Sequence, residues 1–147
     1  MNMLPSRWPG EVVSYDAARR VCRVRIPGIT DGSTEFPEAT IEQAIGDKSE
    51  HTEIRILPGD RVWLAFEMGD SRFPIVTGFR AKETGNETAW RRWHHANMEL
   101  TADGALKINA ATVEISGSTS VRLVSGGTEI ILTPAGTHIN APRIDLN

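Results

Sequence analysis

One cysteine and one tyrosine stand among 147 residues, and aromatic side chains make up only 6% of the chain. A single cysteine excludes any intramolecular disulfide, so the fold must rest on packing and hydrogen bonding. Cys22 reads as a small core hydrophobe rather than a nucleophile. Neither sign of charge dominates: 16 Lys and Arg against 19 Asp and Glu leave a formal net charge of −3. A dedicated nucleic-acid binder carries a basic excess, so nucleic acid is not an expected partner. No run approaches the ~18 apolar residues of a membrane-crossing helix. The first ten residues, MNMLPSRWPG, lack the apolar stretch of a secretory signal. The expectation is synthesis in a cytoplasm, with neither signal peptide nor transmembrane segment. Helical periodicity is scarce as well. Residues 38–45 (EATIEQAI) are the best helix candidate and residues 87–95 a weaker one.

What is present is strand and turn. Residues 11–15 (EVVSY) precede a turn at 16–19 (DAAR). In residues 21–26, Cys22, Val24 and Ile26 alternate with Arg23 and Arg25, the pattern of a half-buried strand closed by Pro27-Gly28. Residues 30–52 read as a long polar excursion with turns at Asp31-Gly32 and Gly46-Asp47. Residues 53–57 are expected to form a third strand, ended by Pro58-Gly59-Asp60. Residues 61–67 (RVWLAFE) show the clearest alternation, with Val62, Leu64 and Phe66 inward. The turn MGDSRFP then leads to a fifth strand at 74–79. Five short strands with one excursion predict a small closed barrel of the OB type over residues 1–80, including an N-terminal extension.

The last third of the chain repeats itself. Apolar pairs one residue apart recur as Met98/Leu100, Leu106/Ile108, Val113/Ile115, Val121/Leu123, Ile130/Leu132 and Ile144/Leu146. The step between the first five is 8, 7, 8 and 9 residues. Small or permissive residues fill the gaps: Asp103-Gly104, Ala110-Ala111, Gly117-Ser118, Gly126-Gly127 and Ala135-Gly136. Outward positions hold Glu99, Lys107, Glu114, Arg122 and Glu129, a mixed-sign surface. Short strands at a fixed period with small turn residues predict a β-solenoid or β-prism over residues 97–147. Each inward side chain, with Ile139 added to the pairs, gains ~1.5–3 kcal/mol only if something covers it. About 50 such residues cannot enclose a core alone, so copies of the same chain are the expected cover.

Between barrel and repeat, residues 81–96 read as a neck. It holds the densest aromatic and basic cluster, Trp90-Arg91-Arg92-Trp93-His94-His95. Trp90 and Trp93 are expected to pack between copies, and the arginines to pair with acids or remain solvated. Adjacent histidines on a strand point in opposite directions, so His94 and His95 do not share one metal ion. His51 sits in a charged loop and reads as solvated. Glu67, Asp60 and Asp70 fall at turns with no base or nucleophile beside them, so no catalytic set is expected and the chain is not read as an enzyme.

The run Pro-Gly-Asp-Arg-Val-Trp at 58–63, followed by Phe-Glu-Met-Gly-Asp-Ser-Arg-Phe-Pro-Ile-Val-Thr-Gly at 66–78, resembles the OB-domain signature of phage baseplate assembly protein V. It is equally similar to the valine-glycine-repeat (VgrG-type) spike proteins of contractile injection systems. The matching positions are Gly59, Asp60, Val62, Phe66, Gly69, Asp70, Pro74, Val76 and Gly78. Leu100, Gly104 and Ile108 match the start of the needle in such proteins. With the repeat included, the resemblance covers about residues 8–147. It implies an all-β chain: an OB-fold barrel followed by a triangular β-helix intertwined in a homotrimer, with Met98, Leu100, Leu106, Ile108, Val113, Ile115, Val121, Leu123, Ile130, Leu132, Ile139, Ile144 and Leu146 as the needle core. It implies a structural role as a membrane-piercing central spike of a contractile phage tail, located in the virion. The implied partners are a baseplate hub protein at the barrel, a PAAR-type protein at the needle tip, and transiently the host outer membrane.

One departure bears on the tip. Some family members end in His-x-His, three copies of which hold an iron ion on the axis. This chain has only His138, in Thr-His-Ile-Asn, and Ile139 is the better inward residue. No cofactor is therefore expected, and a blunt needle end that receives a separate cap fits better. Two functions of the same chain compete with the phage spike. One is the spike of a cellular injection system. The other is an OB module that binds oligosaccharide or nucleic acid on a trimerising stalk. A polysaccharide-degrading β-helix needs many more coils than 51 residues supply.

Overall fold

A computed structural model describes residues 7–44, 48, 50 and 52–144. The chain divides into two units, Met1–Met98 and Glu99–Asn147. The described residues are all-β apart from one 3-10 turn at Glu67–Gly69.

The first unit is a closed five-stranded barrel. Its strands are β1 (Trp8–Asp16), β2 (Val21–Arg25), β3 (Glu38–Ile41), β4 (Arg61–Phe66) and β5 (Pro74–Phe79), joined in the order β1-β2-β3-β5-β4. All neighbours are antiparallel except β3 and β5. Five strands closed in this order are consistent with an OB-type barrel. The interior is what the alternation predicts: Val12, Cys22, Val24, Ile26, Ala39, Val62 and Leu64 are fully buried, with Ile56 and Val76 nearly so. Burial pushes the Cys22 thiol up to about 11, with the nearby charge of Asp60 adding to it. A thiol held protonated inside a core packs as a hydrophobe and is a poor nucleophile.

Two expected elements are corrected. Residues 38–41 are a strand rather than the start of a helix. Ala39 faces the core opposite Cys22, and Thr40 and Ile41 pair in parallel with Ile75 and Val76. The expected helix extends to Ile45, which lies outside the described residues. The long excursion therefore contains the third strand. Residues 53–57, expected to be that strand, join no ladder. They lie along the barrel, with Ile56 plugging the core. Bonds at both ends pin the segment: Tyr15 Oη donates to Glu53, which also pairs with Arg20 at 3.3 Å, and Leu57 N–H donates to Asp60 Oδ2 at 2.8 Å. The neck candidate at 87–95 is not helical either.

The second unit differs from the expected ladder of six strand pairs. Among the described residues no strand occurs between β5 and Val121. Met98/Leu100, Leu106/Ile108 and Val113/Ile115 lie on irregular backbone, because a strand needs a hydrogen-bonded neighbour and a single chain offers none here. Beyond them β6 (Val121–Ser125), β7 (Thr128–Thr133) and β8 (Gly136–Asn140) form an antiparallel meander. Val121, Leu123, Ile130, Leu132 and Ile139 fall on these strands. Ile144 follows them without regular structure, and Leu146 lies outside the described residues.

Candidate interaction surfaces

The barrel-signature residues build turns, strands and core of the barrel. Gly59, at φ 88°, donates its N–H to Val12 O at 2.7 Å, and Asp60 O accepts from Val12 N–H at 2.9 Å. The turn is thereby stitched to β1. Val62 and Val76 are core residues, and Phe66 packs on the core with its ring edge-on to Trp8 at 6.2 Å. Pro74 is buried and opens β5 opposite Phe66, where a missing N–H costs no ladder bond. Gly78 lies opposite Trp63.

The β4–β5 connection is held by Asp70. Its carboxylate accepts from Arg72 N–H at 2.9 Å and from the Arg72 guanidinium at 2.6–3.1 Å. These bonds hold the Asp70 carboxyl at about 2, the side-chain bond contributing most and the backbone bond next. Met68 (φ 49°) and Gly69 (φ 78°) take left-handed conformations in the same loop, which leaves Met68 fully exposed at its tip.

An anionic ligand on the β2 side of the barrel would need free cations, and those present are engaged. Arg25 pairs with Glu11 at 3.2 Å and lies over the Phe36 ring, while Arg19 and Arg23 both bind Glu38. Where β3 ends beside β5, an open apolar depression of about 340 Å³ is walled by Ile41, Ile54, Ile56, Val76 and Phe79. Gln43 Oε1, also in its wall, is buried without a protein partner. No sequence pattern pointed to this depression, because its walls come from four separate segments.

In the neck, Trp90 and Trp93 are 68% and 69% exposed in the single chain. Each ring carries a guanidinium: Arg92 over Trp90 at 5.6 Å and Arg91 over Trp93 at 5.7 Å. Both arginines are exposed, in line with the solvated alternative, and each also lies over an aromatic face.

A run of exposed apolar residues begins at Met98, the last residue of the first unit, and continues through the second. Met98, Leu100, Leu106, Ile108, Val113 and Ile115 are all more than half exposed. Such an accumulation is foreign to a free monomer surface. In the meander, directly paired residues share one face of the sheet. Val121 faces Leu132, Leu123 faces Ile130, and Ile130 faces Ile139, so these five make one apolar face. His138 pairs with Ile131 and lies on the other face. Among the described residues no group of three or more His, Cys, Asp or Glu is placed to hold a metal ion. No helix in them is long and apolar enough to cross a membrane. The chain matches no protein-family model and no curated protein.

Proposed function

We propose that this chain is a homotrimeric central spike of a contractile phage tail, a structural protein whose second unit forms a triangular β-prism that pierces the host envelope when the sheath contracts. The observation that carries the reading is the pairing of a closed five-stranded barrel with a periodic apolar segment that its own chain leaves uncovered. Gly59-Asp60 and Gly69-Asp70 lie in turns of the barrel, which supports the resemblance to baseplate protein V. The repeat supplies what a stiff rod needs. Inward Val, Ile and Leu fill the axis, small corner residues allow tight turns, and closure around an axis removes free strand edges. Puncture needs mechanical stiffness and no catalytic group. The barrel then docks to a baseplate hub, and the needle end receives a separate PAAR-type cap. The second face of the meander carries His138, which supports a tip without axial iron.

Antibodies raised against residues 97–147, applied to contractile particles from cells that carry this gene, test the assignment. Label at the centre of the distal baseplate face is the expected result. Label absent from the particles, or confined to sheath or head, overturns it.

A further inference from the structure

Two-residue turns close the C-terminal sheet at Ser125/Thr128 and Thr133/Gly136, so its neighbouring strands are consecutive in the chain. Val121–Ser125 pairs with Thr128–Thr133, and Thr128–Thr133 pairs with Gly136–Asn140, in continuous antiparallel register. Gly126 supplies the positive φ, 56°, that a two-residue hairpin turn demands. The two faces of this sheet differ. One holds Val121, Leu123, Ile130, Leu132 and Ile139, with Leu123 still 51% exposed and Ile139 46%. The other holds the Arg122–Glu129 ion pair together with Val124, Ile131, His138 and Asn140. A three-stranded sheet with one apolar face is a single layer of a two-layer structure.

We propose that this sheet is one complete wall of a threefold prism: two further copies of the chain cover its apolar face, each bringing its own sheet and none exchanging strands. The inference rests on the trimeric reading above and narrows it. Intertwining is confined to residues 97–120, where the chain forms no strand of its own and ladder partners must come from other copies. The sheet face is small. Three strands ~4.8 Å apart and five residues long at ~3.3 Å each offer roughly 240 Å², against ~800 Å² per partner in a stable interface. The sheet alone therefore does not hold the copies together, and the exposed pairs from Met98 to Ile115 are buried in the same assembly. A second copy meets both needs with one register, whereas an unrelated partner would have to match the same repeat along the whole segment.

Val124 and Glu129 face each other across β6 and β7 on the charged side of the sheet. The full-length chain carrying Val124→Cys and Glu129→Cys, oxidised mildly, separates the two architectures. Cys22 is fully buried and the only native thiol. The proposal expects a disulfide within each chain: single-chain migration on a non-reducing denaturing gel, loss of two of the three alkylatable thiols, and a native mass of three chains. Covalently linked dimers and trimers on that gel overturn it, since the paired strands would then belong to different copies, while the spike reading stands. Retention of both introduced thiols also overturns it. A monomeric native mass overturns the trimer itself, whichever disulfide forms. The pair Arg122→Cys and Ile131→Cys, on the same face of the same ladder, repeats the test if the first variant does not fold.

Discussion

Tyr15 is the only tyrosine in the chain, so its phenol can be titrated by absorbance without interference. Partial burial, followed by the hydrogen bond to Glu53 and that carboxylate's charge, raises it from 10.0 to about 12. A folded value above the unfolded one means that this group's contribution to stability is complete below pH 10 and is lost as pH rises toward 12. An absorbance titration should therefore show a midpoint near 12. Glu53→Gln should lower that midpoint but leave it above 10, because burial is the larger cause. A midpoint at 10 in the parent protein would mean that the strap from Tyr15 to the 53–57 segment is not formed. Gly10 makes a second residue-scale prediction. A Cβ placed there would lie 2.6 Å from Leu64 Cδ1 and 2.9 Å from its Cγ, and Leu64 is fully buried. Gly10→Ala should cost ~1–3 kcal/mol through overpacking, measured as a lower denaturation midpoint. Gly28 has nothing within 4 Å of such a Cβ, so any cost of Gly28→Ala comes from its positive φ alone. The importance of Gly10 was not legible in the sequence, since the side chain that needs its space belongs to a strand more than fifty positions away.

At the scale of elements, what could be read depended on how locally each strand is specified. Strands β2 and β4 were legible because Cys22-Val24 and Val62-Leu64 alternate with polar or half-buried neighbours, and burial on one face is a period-2 requirement. The turns at Gly59-Asp60 and Gly69-Asp70 were legible because positive φ and side-chain-to-backbone bonds are local demands. Strand β3 was not. Residues 38–45 satisfy a helical period as well as a strand period, and the choice is made by Cys22 on one side and by Ile75 and Val76 on the other. Conversely, Ile54 and Ile56 alternate like a strand, but β1 already has β2 and β4 as neighbours, so residues 53–57 find no ladder. In the second unit the apolar pairs were legible, and which of them a single chain can turn into strands was not. Only the stretch with two tight turns folds on itself. The faces of that sheet make an element-scale prediction. Ile130→Asp buries an unpaired charge in the proposed prism core and should reduce the native mass to one chain. Val124→Asp, on the opposite face, should leave it unchanged. Equal effects of the two, read by sedimentation velocity, would mean that the apolar face is not the contact.

For the whole molecule, the barrel encloses a core and the repeat, in a single chain, does not. The first unit buries a closed core of its own, whereas the second displays ten large apolar side chains to solvent among its described residues. That asymmetry is the physical content of the spike proposal, because a segment designed to be covered by its own copies looks uncovered in one chain. Ordering residues 97–120 only on assembly also predicts that their amides gain hydrogen-exchange protection together with trimer formation rather than with barrel folding. The most direct test of the central claim is the mass of the purified full-length protein by light scattering across a dilution series. The account predicts three times the 16.2 kDa chain mass, constant on dilution. A mass of a single chain, at concentrations where the barrel is folded, would contradict it.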